Sequence, residues 1–454
     1  MQEVGYVSVN PSSCLRFVDL FAGLGGFHVA LGGLGHRCVF AAEVDPDLNA
    51  LYERNFGLRP GADIRFCWKD IPQHDILCAG FPCQPFSKAG NQKGFECPDS
   101  GDLFDYILKV VDRHRPPFLI FENVPNILRH ADGETWARIR TSLSRRGYTV
   151  DHTEISPHQI GVPQVRTRAI IVAALSGLDH FSWPKTDFPA KNLSIHSVLE
   201  PQPDGGDRLS DQYIEYLDVW EDFLVRTSSV PKLPSFPIWS MEFGANYPLE
   251  RPPAAYHHRY RSRFRGSFGC PLKGLVPDSQ LAQLPAYVRS SREPLPRWKV
   301  RYIEQNREFY EEHKSKLRGW LPKIRDFPAS FQKFEWNWQD GTRTIWDKVV
   351  QFRASGIRVK NPATSPSLVA LTTSQVPVIA AERRYMAIQE CARLQSLDSL
   401  SELPSTKTAA FKALGNAVNS KVISQVAENL IQPIVQSEKP ATDDRHQSVA
   451  GQGA

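Results

Sequence analysis

The sequence predicts an α/β protein in which a doubly wound sheet is interrupted by a long insert of irregular pattern. Strand-like apolar runs alternate with helix-like segments from about residue 14 to 178, as expected of repeated βα units. From about 179 to 365 this rhythm stops, and prolines, tryptophans and arginines become frequent. We therefore expect a first domain made of 14–178 and 366–435, an inserted domain at 179–365, and a disordered polar tail at 436–454.

A glycine-rich turn near the amino terminus indicates a ligand site. Arg16–Leu20 has a strand pattern, and Phe21–Gly26 (FAGLGG) leads from it into an apolar helix pattern. Glycines at a strand-to-helix turn let a ligand approach the backbone closely, and a helix amino terminus follows. The spacing differs from the GxGxxG of dinucleotide-binding folds, because the third glycine comes too early. Tight-turn packing explains such a turn, taken alone, about equally well.

The next strand pattern adds an acidic residue to this turn. Cys38–Ala42 predicts a strand that ends in Glu43. A carboxylate about 20 residues past a glycine loop suits the two hydroxyls of a ribose. A ribose site without a diphosphate signature indicates an adenosine ligand other than NAD, and S-adenosylmethionine fits that description.

One thiol and one carboxylate are expected to meet at the same edge of the sheet. Asp75–Ala79 predicts a short buried strand, and Gly80–Ser87 (GFPCQPFS) places Cys83 in the turn after it. Phe118–Phe121 predicts another strand, which ends in Glu122. Open α/β sheets bind ligands at the carboxyl ends of their strands. A thiol and a carboxylate placed there can attack a polarised ring and protonate it.

The composition indicates a soluble intracellular protein. The net charge is +5 and the pI is about 8.7, which is only mildly basic. No apolar run approaches the roughly 18 residues of a membrane span, and Met1–Ser13 lacks the basic start and apolar core of a secretion signal. Cysteines other than Cys83 are expected to be small buried hydrophobes, and the absence of a CxxC pair argues against a metal site.

Taken in order, the motifs resemble those of the DNA (cytosine-5)-methyltransferase family of bacterial restriction–modification type. The resemblance covers about Phe17–Leu175 and Pro362–Leu430. The matching motifs are Phe21–Gly26, Glu43, Asp63-Ile64, Gly80–Gln84, Glu122-Asn123-Val124, Gln164–Arg168, Arg393-Leu394-Gln395 and Gly415–Val418. One departure is that Ala387 and Gln389 stand where the family commonly has threonine and arginine, which predicts a weaker local structure or DNA affinity.

The resemblance implies a Rossmann-like fold that binds S-adenosylmethionine and an inserted target-recognition domain. It implies methyl transfer to carbon 5 of a cytosine flipped out of a specific duplex sequence. Cys83 would add to carbon 6 of the ring, and Glu122 would hold a proton at ring nitrogen 3. Arg168 would reach the base oxygen, and Arg166 would support the cysteine or the sugar-phosphate. On a continuous strand both arginines would face one side.

The resemblance also assigns the cofactor site. Phe21 would stack on adenine, Glu43 would accept from the ribose hydroxyls, and Asp63 would accept from the adenine amino group. The full set of expected cofactor residues is Phe21, Gly23, Leu24, Gly25, Gly26, Glu43, Asp63, Ile64, Gly80, Leu103, Asn416 and Val418. We further expect Gly415-Asn416 to open a helix that runs to Ile431.

Two regions are candidates for DNA contact. The polar loop after Cys83 contains Gln84, Ser87 and Lys88, and by resemblance it closes over the DNA. The insert carries a basic run at 251–301 with few acids, typical of a duplex-binding face. A solvated loop is the alternative for both. The candidates in the insert are Arg259, Arg261, Arg263 and Arg265.

Three other interpretations stay open at this point. A tRNA-directed relative would carry the same catalytic set, although it needs little recognition domain. A DNA-binding regulator could have kept the fold and lost catalysis, which intact Cys83, Glu122, Arg166 and Arg168 argue against. Use of a modified S-adenosylmethionine is the third. One insert on a free-standing catalytic region indicates a monomeric prokaryotic enzyme of the cytoplasm and nucleoid, with a cognate restriction endonuclease encoded nearby.

Overall fold

The computed structural model describes residues 14–82, 103–201, 203, 206–289, 293–370 and 375–437, with side chains through Ile431 in the last range. Cys83, Gln84, Ser87 and Lys88 lie outside the described residues, as does the tail from 438 onward. The expectations for them therefore stay predictions. In the described part of the chain, no helix combines the length and the apolar character that crossing a membrane requires.

The described chain alternates strands and helices in its first part and returns to helices at its end. The strands are β1 Arg16–Leu20, β2 Arg37–Ala42, β3 Ile76–Ala79, β4 Phe118–Asn123, β5 Thr149–Ile155, β6 Gln164–Val165, β7 Arg168–Ala174, β8 Ile238–Trp239, β9 Lys333–Trp336, β10 Val349–Arg353, β11 Gly356–Lys360, β12 Ser365–Pro366, β13 Val378–Ile379 and β14 Arg384–Tyr385. The helices are α1 Gly26–Gly33, α2 Pro46–Phe56, α3 Ile64–Cys67, α4 Leu103–His114, α5 Glu134–Ser144, α6 Asp211–Arg226, α7 His258–Arg261, α8 Pro277–Ala282, α9 Ala286–Arg289, α10 Arg297–Leu317, α11 Leu321–Ile324, α12 Ile388–Leu394, α13 Lys407–Asn416 and α14 Ser420–Ser437.

The first sheet has the order β2-β1-β3-β4-β7-β5. Strands β1 to β4 are parallel, and β7 runs against both of its neighbours. Leu20 pairs with Ala42 on one side and with Ala79 on the other. The residues that follow these three strands therefore emerge at one edge of the sheet. The four strands predicted from the sequence are confirmed.

Helices cover both faces of this sheet, as the doubly wound prediction requires. Phe17 and the alternate residues of β3 and β4 pack in a buried cluster with α1 and α14. Val18, one residue on, points to the other face and packs in a cluster with α4 and α5. Successive strand residues face opposite sides, so apolar residues at every position indicate a sheet buried on both faces.

The insert is more regular than the sequence indicated. It folds around a second sheet of order β14-β13-β10-β11-β9-β8, and one face of this sheet packs on α6 and α10. Trp220, Trp320 and Trp336 are buried in that core. The strands are only two to five residues long and are separated by proline-rich connections. Strands this short give too few alternating residues to be recognised in the sequence. Strands β13 and β14 lie beyond the expected boundary at residue 365.

One helix prediction is wrong in a way that affects the site. Gly415 and Asn416 end α13 instead of opening the last helix, which begins at Ser420. The backbone carbonyls of Gly415 and Ala417 accept hydrogen bonds from the guanidinium of Arg166. Because a side chain from a distant segment bonds these carbonyls, the chain can leave one helix and start another within a few residues.

A buried ion pair holds the start of α12. The guanidinium of Arg384 donates to both carboxylate oxygens of Glu390, at 2.8 Å each. Glu390 also accepts from the backbone N–H groups of Ala387 and Glu200. Ala387 has no side-chain acceptor at this helix start. Glu390 therefore makes the half of the helix cap that bonds the backbone N–H of Ala387, while the half that a threonine hydroxyl at 387 would make is missing.

We predict that Glu390→Ala lowers the free energy of unfolding by about 3–5 kcal/mol, because it removes the fully buried carboxylate that binds Arg384 and leaves the backbone N–H of Ala387 without its acceptor. Arg384 then keeps only its pair with the more exposed Glu382. Glu402→Ala is the matched control, since Glu402 pairs with Arg54 at 2.7 Å with both side chains about half exposed. That change is expected to cost less than about 1 kcal/mol. Urea unfolding of both variants measures the difference. Equal stabilities would show that the buried pair adds nothing beyond a surface pair.

Candidate active site

The glycine loop after β1 is held by the carboxylate of Glu43. One oxygen accepts from the backbone N–H of Gly23 and the other from that of Asp45, both at 2.8 Å. Phe21, at the start of the loop, has a φ of 60°, a conformation that aromatic residues rarely adopt and that concentrates at ligand sites. Glu43 keeps acceptor capacity on both oxygens, because each carboxylate oxygen has two lone pairs.

The end of the chain completes this loop. A Cβ on Gly26 would lie 2.5 Å from the backbone oxygen of Val418, and a Cβ on Gly80 would lie 3.3 Å from Cγ2 of Val418. The contact at Gly26 is with rigid backbone, so a side chain there would force the two segments apart. Gly26, Gly80 and Val418 are thus brought together as the sequence motifs predict.

The other expected cofactor residues take different environments. Ile64 and Leu103 are buried in one core cluster, and Leu24 is buried in another. Asn416 is exposed at the end of α13. The carboxylate of Asp63 accepts from the guanidinium and the backbone N–H of Arg65, and the Arg65 contact holds the pKa of that carboxyl below its usual range. The role of Asp63 toward adenine stays a prediction.

A buried acid that the sequence reasoning missed lies in β1, one residue before the strand ends. Asp19 is fully buried, and burial raises the pKa of its carboxyl well above the usual range. The hydroxyl of Tyr52 donates to it at 3.5 Å, and Tyr52 in turn contacts the ring of His28 at 2.7 Å. The available signal was an acidic residue inside an otherwise apolar strand.

Glu122 and Arg168 are in contact at the edge of the first sheet where β4 ends and β7 begins. Glu122 follows Phe121, which pairs with Ala79, so it lies beside the strand that leads to Cys83. Nε of Arg168 lies 3.1 Å from Oε1 of Glu122, and both side chains are mostly buried. Burial raises the pKa of Glu122, while Arg168 and then Arg166 oppose that rise. The carboxyl therefore keeps a proton more readily than a surface glutamate does.

Asn123 has a positioning role that the sequence reasoning did not single out. Its side-chain amide donates to the backbone oxygen of Phe81 at 3.1 Å. Its side-chain oxygen accepts from the backbone N–H of Val124. Asn123 thereby holds the backbone two residues before Cys83 against the end of β4.

Arg166 does not share a strand with Arg168, contrary to the prediction. The strand pattern breaks between β6 and β7, and the Arg166 side chain is 3% exposed. Its guanidinium donates to the backbone oxygens of Leu368 and Gly415 at 2.9 Å each, and of Ala417 at 3.1 Å. Arg166 therefore joins late segments of the chain, and it lines a small cavity with Glu122 and Arg168.

The basic run of the insert divides into exposed and buried members. Arg259, Arg263 and Arg265 are exposed. Arg261 is 7% exposed, and its guanidinium donates to the backbone oxygen of Tyr256 at 2.9 Å and to Oε1 of Gln280 at 3.3 Å. The expectation that Arg261 contacts DNA is wrong, because the short helix α7 turns this side chain into the domain.

Comparison with known proteins places the chain in a family. The family model of C-5 cytosine-specific DNA methylase matches residues 15–237 and 276–432. The Type II methyltransferase M.AluI of Cellulosimicrobium cellulans is 32% identical over 482 residues, covering 90% of this chain and 90% of its own. M.MspI of a Moraxella species is 42% identical over 195 residues, covering 43% of this chain and 46% of its own. M.HhaI of Haemophilus parahaemolyticus is 41% identical over 218 residues, covering 47% of this chain and 63% of its own.

The matched blocks contain the glycine loop with Glu43, the contact between Glu122 and Arg168, and the segment around Val418. They leave out 238–275, which includes Arg259, Arg261, Arg263 and Arg265. The predicted family, enzyme class and methyl donor are confirmed. The chain belongs to the C-5 cytosine-specific DNA methylases, enzymes that transfer the methyl group of S-adenosylmethionine to cytosine in DNA.

Proposed function

We propose that this protein methylates a cytosine that is flipped out of one specific duplex sequence, through a covalent bond between Cys83 and carbon 6 of the base. The observation that supports this most directly is the contact between Glu122 and Arg168 beside the strand that leads to Cys83. A base stacked in a duplex is closed to attack above the ring plane, so the cytosine must leave the stack, at a cost of a few kcal/mol.

The residues around the glycine loop fit S-adenosylmethionine, whose sulfonium makes the methyl group transferable. Glu43 has acceptor capacity left for the ribose hydroxyls, and the glycine loop lets a ligand approach the backbone. Phe21 offers a half-buried aromatic face beside this loop. These side chains would orient the donor, and Val418 packs against Gly26 and Gly80 beside them.

Cys83, Glu122 and Arg168, at the same edge of the sheet, activate the base. As the sulfur of Cys83 bonds to carbon 6, the electron pair of the ring double bond becomes available at carbon 5. Glu122 holds a proton at ring nitrogen 3 and so prevents charge from building up there, while Arg168 fixes the carboxyl and reaches toward the base oxygen. After methyl transfer, carbon 5 loses its proton and the bond to sulfur breaks. Arg166 acts by positioning, since its guanidinium is occupied by backbone oxygens.

The biological setting we propose is a restriction–modification system. The relatives named above are Type II methyltransferases, a name that supports this setting. We propose that the enzyme acts as a monomer in the cytoplasm, at the nucleoid, and that a restriction endonuclease cutting the same sequence is encoded nearby. Gln84, Ser87 and Lys88 stay our candidates for DNA contacts in the loop after Cys83, with Arg259, Arg263 and Arg265 in the insert.

Cys83→Ala is expected to abolish methylation while leaving duplex binding within about twofold, because the thiol makes the covalent bond and little of the ground-state affinity. Bisulfite sequencing of DNA from a methylation-free bacterial host measures this. Protected cytosines in one fixed context should appear with the native protein and be absent with the variant. Methylation by the variant would remove the covalent mechanism.

The pH dependence of turnover tests the acid role of Glu122. Its proton must be present, so the rate should fall as pH rises through the raised pKa of the bound enzyme's carboxyl. Arg168→Gln removes the cation that opposes this rise. The alkaline limb should therefore move to higher pH in that variant, although its maximal rate is lower. A Glu122→Gln variant that kept the same alkaline limb would show that another group titrates.

Glu43→Ala should weaken S-adenosylmethionine binding by about 10- to 100-fold, because hydrogen bonds to a charged group are each worth about 1.5–3 kcal/mol. Asp47→Ala is the matched control, since it removes the same charge from an exposed position four residues along the chain. Titration calorimetry with both variants measures the affinity. If Asp47→Ala weakened S-adenosylmethionine binding as much as Glu43→Ala, the loss of affinity would come from the change in net charge and not from lost hydrogen bonds to Glu43.

A further inference from the structure

The second sheet has one apolar face and one basic face. Phe334, Val350 and Ile357 belong to the apolar face and pack in the core of the inserted domain with α6 and α10. Alternate residues of the same strands must point the other way. Four of these are cations, which we call the basic sheet face: Lys333, Arg353, Arg358 and Lys360.

The strand register places these cations side by side. Arg358 pairs with Glu335 on β9 and with Gln351 on β10, so the three side chains share one face. Lys360 is two residues from Arg358, and Arg353 is two residues from Gln351, to which its Nε donates at 2.8 Å. All four cations are partly buried, which distinguishes them from freely solvated surface lysines and arginines.

The basic sheet face has too few counter-charges. Glu335 is the one carboxylate of the described residues that faces it, and it pairs with Arg358 at 2.9 Å. Burial and the neighbouring Arg358 lower the pKa values of Lys360 and Arg353. Repulsion between like charges and the partial loss of their hydration both destabilise the free protein. A bound polyanion offsets both effects, because its negative charges pair with the cations.

A fifth cation extends the basic sheet face at one end. The ammonium groups of Lys299 and Lys333 lie 5.7 Å and 5.8 Å from the ring centre of the same residue, Tyr287. Burial and Lys299 together lower the pKa of Lys333. The ring keeps two ammonium groups near each other that would otherwise separate in water.

The other end of the face reaches the catalytic domain. Val349 pairs with Lys360 and belongs to the same buried cluster as Leu24 of the glycine loop. The row of cations therefore begins beside the buried cluster that contains Leu24 of the glycine loop and extends away from it. A DNA duplex whose flipped base reaches Glu122 and Arg168 must lie close to the catalytic domain, where cations can bind its phosphates.

We propose that the basic sheet face binds the phosphate backbone of the duplex, independently of sequence, and holds the DNA against the catalytic domain. This rests on the proposed function for the identity of the polyanion. The face is distinct from Arg259, Arg263 and Arg265, and the sequence analysis did not identify it. Lysine and arginine contacts to phosphate set position and affinity, while other side chains read the bases.

The test is the salt dependence of binding to a labelled duplex of mixed sequence, measured by fluorescence anisotropy with the full chain. Arg353→Gln with Lys360→Gln should reduce the slope of log Kd against log salt concentration by roughly 1.8, because each phosphate that is no longer neutralised lowers it by about 0.9. The control is Arg318→Gln with Arg325→Gln, which removes two exposed cations from the helical side of the same domain. Its slope should stay unchanged.

An unchanged slope in the first variant, or an equal reduction in the control, would overturn the proposal. Thermal unfolding and S-adenosylmethionine binding check that the variants fold. A second variant, Lys299→Gln with Lys333→Gln, removes the two cations beside Tyr287 and should give the same reduction. It tests the proposal if the first variant does not fold. Bisulfite sequencing of DNA from cells that express the native protein separates the two proposals. Methylated DNA together with an unchanged salt slope in the first variant rejects only the role of the basic sheet face. A reduced salt slope without methylated DNA rejects only the proposed function.

Discussion

The guanidinium of Arg166 is the interaction on which the rest of the site depends. It bonds backbone oxygens of Leu368, Gly415 and Ala417, which are more than two hundred positions away in the chain. These bonds set the break between α13 and α14, and the break places Val418 against Gly26. Since the cation is buried and these bonds go to rigid backbone, removing it would loosen the cofactor loop and the Glu122 cavity together.

The first sheet and the motif residues could be predicted well from the sequence, for a physical reason. Strands buried on both faces are continuous apolar runs, and each ends in a residue type that chemistry requires, such as Glu43 or Glu122. The positioning contact of Asn123 and the burial of Asp19 were not predicted, because they depend on the backbone of Phe81 and on Tyr52, which meet them only through the fold. Cys83 itself stays a prediction.

The insert shows where inference from local pattern fails. The sequence analysis grouped the arginines of the basic run as candidates for DNA contact, but a single helical turn buries Arg261 and leaves Arg259 and Arg263 exposed. Conversely, Lys333 and Arg358 look unrelated in the sequence and share a face only because β9 and β11 pair. The sequence around a short strand does not show which distant strand it pairs with. Which charged side chains of this domain share a face can therefore be read only from the strand register in the structure.

The contact between Gly26 and the backbone of Val418 has a consequence for how the enzyme is made. Synthesis runs from the amino terminus, so every strand of both six-stranded sheets has been synthesised before Val418. The inserted domain, whose sheet draws on residues up to Tyr385, is therefore translated before the cofactor loop can be closed. A nascent chain can therefore contain every strand of the first sheet and still lack Val418, the residue that packs against the glycine loop.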